Sequence, residues 1–152
     1  MADTLSKIQR SRVMALVRST GNKATELKLV SLLRAAGIKG WRRNPSLFGK
    51  PDFVFRKQRL AVFADGCYWH GCPEHCRMPK SNIAFWRSKI ARNKKRDLLV
   101  RRTLRKAGWR VLRIWEHELK RPRRCIGRLC RQLCISIPAL PDREPTPPPS
   151  RR

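Results

Sequence analysis

The sequence predicts an α/β fold, a mixed sheet with helices packed on its faces. Three observations point there. Apolar stripes with helical spacing run over 24–36 and 82–107. Short apolar runs at DFVF (after Pro51), LAVFA (60–64) and WRVLRIW (109–115) read as strands, the first two joined by the polar turn Arg56-Lys57-Gln58-Arg59. The resulting order of helix, hairpin, long helix, strand and helix fits a half-buried sheet covered by helices.

Each element has its own warrant. Residues 1–22 are polar and basic, with Arg10, Arg12, Arg18 and one apolar cluster at Val13, Met14, Leu16 and Val17; they read as a short helix or arm, or as a frayed terminus. In 24–36, Leu27, Leu29, Val30, Leu32, Leu33 and Ala36 form the stripe, and Gly37 is placed to end it. Residues 39–43 suit a short strand leading into the loop NPSLFGKP. In 82–107, Ile83, Trp86, Ile90, Leu98, Leu104 and Ala107 can face inward, while lysines and arginines crowd the rest, and Gly108 stops the helix. The next strand alternates apolar residues with Arg110 and Arg113. Residues 122–135 make a basic amphipathic helix with Ile126, Leu129 and Leu133 on one side, accompanied by Cys125, Cys130 and Cys134 as small buried thiols. From Pro138 the proline-rich stretch ALPDREPTPPPSRR is expected to be disordered. The division is an arm over 1–22, a body over 23–137 and a tail over 138–152.

Charge narrows the partners. Lys and Arg number 37 against 10 Asp and Glu, a formal net charge of +27. A body this cationic repels itself unless an anion neutralises it, and nucleic acid is the obvious polyanion. No apolar run approaches the roughly 20 residues of a membrane-spanning helix. The N-terminus MADTLSKIQRSR has no apolar signal-like stretch, so a reducing cytosol is expected, with the six cysteines as ligands or buried thiols rather than disulfides.

Residues 67–76, CYWHGCPEHC, hold three cysteines, two histidines and two large aromatics. Such density suits a structural Zn²⁺ site, which takes four Cys or His ligands in a tetrahedron. Cys67, Cys72 and His75 supply three, the last two in a C-x-x-H step at a turn started by Pro73. His117 supplies the fourth if strand 109–115 lies beside strand 60–64; Cys76 is the alternative. His70 is then left over, either as a rigidly held general base or acid, or as a surface histidine. Tyr68 and Trp69 beside it present apolar or stacking surfaces.

Acidic residues are scarce enough that each is conspicuous. Asp52 opens one hairpin strand and Asp65 closes the other, so antiparallel pairing brings them to one end of the sheet with His70. Glu26 on the first helix can join them. Carboxylates gathered on a cationic surface bind a hard cation such as Mg²⁺, which polarises a phosphoryl oxygen while a neighbouring histidine deprotonates water. A zinc-containing module that binds nucleic acid without cutting it has the same charge and aromatics, but no use for Asp52 with His70.

The segments GKPDFVF, VFADGCYWHGCPEHC, MPKSNIAFWRSKIARNKKRD and GWRVLRIWEHEL, in that order, strongly resemble the very-short-patch repair DNA mismatch endonucleases, from about residue 5 to residue 120. The resemblance implies a restriction-endonuclease-like fold with a structural zinc, and nicking of one DNA strand 5′ of the T in T:G mismatches left by deamination of 5-methylcytosine. It matches Asp52 to the catalytic Mg²⁺-ligating aspartate, His70 to the histidine that activates water, Glu26 to an acidic residue near the site, and Ala64 to a residue whose backbone carbonyl helps hold the cation. Asp65 departs from the best-known member, which carries a histidine there, and the Cys/His order in the zinc loop also differs. Tyr68, Trp69 and Trp86 resemble a wedge entering the duplex beside the mismatch, and Met14 a residue inserting from the minor-groove side. The resemblance further implies a monomer, cytoplasmic and nucleoid-associated, working with mismatch-repair proteins.

Overall fold

The computed structural model describes residues 8, 9, 12 and 21–140. Met14 and the other apolar arm residues over 13–17, together with 141–152, lie outside the described residues. In chain order the elements are α1 (Glu26–Ala35), β1 (Trp41–Arg43), β2 (Phe53–Phe55), β3 (Leu60–Asp65), α2 (Ile83–Lys106), β4 (Arg110–Trp115), a 3₁₀ turn at Glu118–Lys120 and α3 (Pro122–Leu133). They form a mixed sheet in the order β1-β2-β3-β4. β2 is antiparallel to β1 and to β3, whereas β3 and β4 run parallel through the α2 crossover.

The helices end where the sequence expects. Gly37 and Gly108 take positive φ (64° and 77°), a conformation cheap only for glycine. The residue after each bonds back into the helix, Ile38 N–H to the Leu33 carbonyl at 3.0 Å and Trp109 N–H to the Leu104 carbonyl at 2.9 Å. Two otherwise orphaned carbonyls are thereby satisfied. α3 closes the same way with Cys134 in the left-handed position, so this third thiol is exposed, whereas Cys125 and Cys130 are buried.

Both faces of the sheet are covered, which is why β3 reads as a continuous apolar run. On one face Phe53, Phe55, Leu60, Val62, Leu112 and Ile114 pack against Leu29, Leu32 and Leu33 of α1 and Ile126 and Leu129 of α3. On the other, Val54, Ala61 and Phe63 meet Val100 and Leu104 of α2. Each such side chain contributes roughly 1.5–3 kcal/mol on burial. Of the proline-rich stretch, the described residues 138–140 stay on the body, with Leu140 buried in the first of these clusters. No helix among the described residues is long and apolar enough to cross a membrane.

α2 corrects one expectation. Ile83 and Ala107 are exposed, Leu98 is half-buried, and Val100 takes the inward place. Length explains it. A 24-residue helix spans about 36 Å, but the six-residue strands β3 and β4 span only about 20 Å. The N-terminal half of α2 therefore overhangs the sheet and packs on the Cys/His loop instead.

Candidate active site and metal centre

Strand register assembles the site. β2 and β3 pair with Phe53 opposite Val62, so Asp52, just before β2, and Asp65, the last residue of β3, share one end of the sheet. Asp52 Oδ2 accepts a hydrogen bond from Ala64 N–H at 2.8 Å. Burial, only partly offset by that bond, pushes the Asp52 carboxyl up to about 6, and the charges of Glu26 and Asp65 add to the rise. This is a local excess of negative potential on a strongly positive chain, which a hard cation would relieve. One or two carboxylates completed by waters and substrate phosphate suit Mg²⁺, so Asp52 and the Ala64 carbonyl are a plausible donor set in chemical type.

His70 stands over the same end. Its Nδ1 lies 2.7 Å from Asp97 Oδ2 and its Nε2 3.7 Å from Asp65 Oδ1. An ionised Asp97 can only accept, so Nδ1 carries a hydrogen, and in the neutral ring Nε2 presents its lone pair. Burial alone would lower the ring's pKa, but the Asp97 hydrogen bond and the charges of Asp65 and Asp97 outweigh it and the pKa is raised. Burial would raise Asp97, yet its bonds to His70 and Arg113 hold it below the usual carboxylate range. Asp65 is raised by burial and pulled back by His70 and Arg113.

Glu26 reaches this end of the molecule but is already engaged. It is 2 % exposed, and its carboxylate accepts from Arg43 Nε at 3.0 Å, from a second Arg43 nitrogen, and from Gly21 N–H. It acts on Asp52 through its charge.

The Cys/His group follows from the parallel pair. Asp65 is in register with Trp115, so Cys67 and His117, each two residues beyond, are neighbours. Cys67 Sγ lies 3.2 Å and Cys72 Sγ 3.6 Å from His117 Nδ1, and Cys72 Sγ lies 3.9 Å from His75 Nδ1. The donors of Cys67, Cys72, His75 and His117 all fall within 4.8 Å of one another. A tetrahedron with metal–sulfur bonds near 2.3 Å and metal–nitrogen bonds near 2.0 Å requires donor separations of roughly 3.3–3.8 Å, so the group matches a structural Zn²⁺ site in donor type and is slightly wider than a closed one. Cys76 stands apart from it, its Sγ facing the Tyr68 carbonyl at 3.6 Å.

Tyr68, Trp69 and Trp86 also converge, with ring centroids 5.1–6.0 Å apart and Lys89 Nζ 5.0 Å from the Trp69 ring. Tyr68 and Trp69 are half-buried rather than free, and Phe85, 5.2 Å from Trp86 and 54 % exposed, offers the outward face.

Sequence reasoning missed Asp97, Arg113 and Phe85. A signal existed for the first: Asp97 is the one acidic residue on α2. Arg113 interrupts an apolar strand between buried Leu112 and Ile114, and Phe85 adjoins Trp86.

The profile of the family described as DNA mismatch endonuclease Vsr matches residues 2–78. The type II nicking enzyme V.NaeI of Lentzea aerocolonigenes is 45% identical over 114 residues, covering 72% of this chain and 68% of the relative. The type II nicking enzyme V.NmeDIP of Neisseria meningitidis serogroup C is 39% identical over 132 residues, with coverages of 86% and 88%. The DNA mismatch endonuclease Vsr of Escherichia coli is 38% identical over 123 residues, with coverages of 79% and 77%.

Proposed function

Because the chain belongs to the Vsr family of DNA mismatch endonucleases, we propose that it nicks one strand of a duplex 5′ of the T in a T:G mismatch, by Mg²⁺-dependent hydrolysis. The observation that carries this reading is the bridging of Asp52 and His70 by two adjacent residues of β3. Ala64 N–H holds Asp52, and Asp65 faces His70 at 3.7 Å.

Asp52 and the Ala64 carbonyl would hold Mg²⁺, which when bound polarises a phosphoryl oxygen and steadies the leaving oxygen. Asp97 fixes the His70 ring through Nδ1, leaving Nε2 to take a proton from the attacking water. The imidazolium so formed lies between Asp97 and Asp65, whose charges stabilise it. Glu26, held by Arg43, adds negative potential at Asp52. Cys67, Cys72, His75 and His117 would hold Zn²⁺, whose contribution is to brace the loop bearing His70.

The rings of Tyr68, Trp69 and Trp86 supply a wedge, with Phe85 as its outermost member. Unstacking a base step costs a few kcal/mol, and least at a mismatch, so an apolar wedge discriminates by the ease of opening. The lysines and arginines of α2 and α3 face the phosphates.

The test is incubation of the full chain with T:G and fully paired duplexes in Mg²⁺, followed by strand-resolved mapping. A nick 5′ of the mismatched T, absent from the paired duplex, is expected. Equal nicking of both duplexes would assign another DNA specificity, and no nicking of either would leave a binding protein.

The rate should also depend on pH with a defined sign. Asp52 takes up its proton as pH falls through about 6, weakening its hold on the cation, so the nicking rate falls there. Raising Mg²⁺ moves this limb to lower pH, because cation and proton compete for one carboxylate. His70, with its pKa raised, adds a limb above the ordinary histidine range, since the protonated ring cannot accept. Single-turnover rates against pH at two Mg²⁺ concentrations check this; a profile flat from about pH 5 to 8 would contradict it.

A further inference from the structure

We propose that Arg113 is a positioning residue of this site, a two-pronged guanidinium that holds Asp97 against His70 and holds Asp65 away from it. This deepens the catalytic reading of Asp52 and His70 and rests on it.

Arg113 projects from the middle of β4 beside Phe63 of β3, its register partner, and its guanidinium carbon lies 4.8 Å from the Phe63 ring centroid. One terminal nitrogen donates to Asp65 Oδ2 at 2.5 Å and the other to Asp97 Oδ1 at 3.0 Å. The Arg113 side chain is only 20 % exposed, against 4 % for Asp65 and 17 % for Asp97. A cation set on an aromatic floor and shared by two carboxylates is not disposed as a phosphate-facing arginine. The planar fork can serve both acids at once, which a lysine ammonium cannot do in the same geometry.

The two prongs have different consequences. Asp97 uses Oδ1 for Arg113 and Oδ2 for His70 Nδ1, so fixing the first oxygen aims the second. Asp65 uses Oδ2 for Arg113, which leaves Oδ1 3.7 Å from His70 Nε2, beyond hydrogen-bond length. Without Arg113, no other described contact draws the Asp65 carboxylate toward β4, although its backbone stays paired there. Its carboxylate can then close on the Nε2–H of the protonated ring, which keeps the proton there and fills the space the attacking water needs. The imidazole would be held by an acid at each nitrogen, correctly oriented on one side and blocked on the other.

The experiment compares single-turnover nicking and duplex affinity for the wild-type chain, Asp52→Ala, Arg113→Met, Arg113→Lys and the double variant Arg113→Met/Asp65→Ala. For Arg113→Met the nicking rate constant should fall roughly 10–100-fold, the range typical of residues that orient a catalytic ligand, with duplex affinity little changed. Arg113→Lys should be intermediate. The double variant should regain much of the rate, because alanine has no polar group to close on the ring. Wild-type rates for Arg113→Met or Arg113→Lys, a loss of affinity equal to the loss of rate, or a double variant no faster than Arg113→Met would each overturn the inference. If Arg113→Met does not fold, as judged by its melting curve, Arg113→Lys carries the decision. Nicking that survives in Asp52→Ala removes the catalytic reading itself, whereas an inactive Asp52→Ala beside a fully active Arg113→Met removes only the role of Arg113.

Discussion

Asp52→Ala should abolish nicking and leave duplex binding intact or tighter. The carboxylate is the one acidic group bonded to the Ala64 backbone, and its loss removes a side-chain donor for the cation. Lewis-acid stabilisation of a phosphoryl transition state is worth several kcal/mol, and about 4 kcal/mol is on the order of a thousandfold in rate. Binding moves the other way. The site strains to keep Asp52 ionised, as its rise to about 6 shows, and an approaching phosphate meets that charge as repulsion. Asp52→Asn separates the hydrogen bond from the charge. It retains the acceptor for Ala64 N–H, whose net worth is about 1 kcal/mol, yet should be as inactive as the alanine variant. Strand-resolved gels and equilibrium titration of a T:G duplex measure both properties. Parallel loss of cutting and binding would argue that Asp52 only supports the fold.

Metal removal is the second large effect. Carefully purified protein should carry about one zinc per chain, and Cys67→Ser or Cys72→Ser should lose it. The segment between those cysteines is a chain of tight turns, with Cys72 N–H bonded to the Cys67 carbonyl at 2.9 Å and His70 N–H to the Gly66 carbonyl at 3.2 Å. Its apolar contacts are those of the half-buried Tyr68 and Trp69 with Trp86, too few to replace a metal. Structural zinc contributes roughly 10–16 kcal/mol in small metal-dependent domains, as much as the whole stability of a typical domain, about 5–15 kcal/mol. Losing even part of that should lower the melting temperature by roughly 10 °C or more, at about 2–4 °C per kcal/mol for a chain of this size. Nicking goes with it, because His70 lies inside the stapled segment. Cys76→Ser should keep the metal, since its sulfur lies outside the four-donor group. A zinc content near zero in the wild-type protein would remove the metal centre.

The hairpin and the helix stops were legible because their signals are local. Pro51, the polar turn 56–59, Gly37 and Gly108 each dictate structure within a few residues. The meeting of Cys67 with His117 was legible at one remove, once two apolar runs were set side by side. The phase of α2 was not. Leu98, Leu99 and Val100 are three consecutive apolar residues, and helical spacing alone cannot say which faces the sheet when nearly every other position is cationic. The structure turns Val100 inward and leaves Leu99 exposed. That same phase decides where Asp97 points, so the partner of His70 stayed hidden although its rarity marked it. Arg113 read as one cation among 37, because its two acids come from β3 and α2 and no local pattern joins them.

The hydrogen bonds that organise this site are all distant in sequence: 12 residues from Asp52 to Ala64, 27 from His70 to Asp97, 48 from Asp65 to Arg113. None can form in a nascent or unravelled chain until tertiary docking is nearly complete. Attraction to a polyanion has no such requirement, because a charge of +27 is present in any conformation. An immature copy should therefore still bind DNA without the means to cut it. Folding itself would then be the safety catch, and a destabilising lesion in the body should disarm the enzyme before it frees it from DNA.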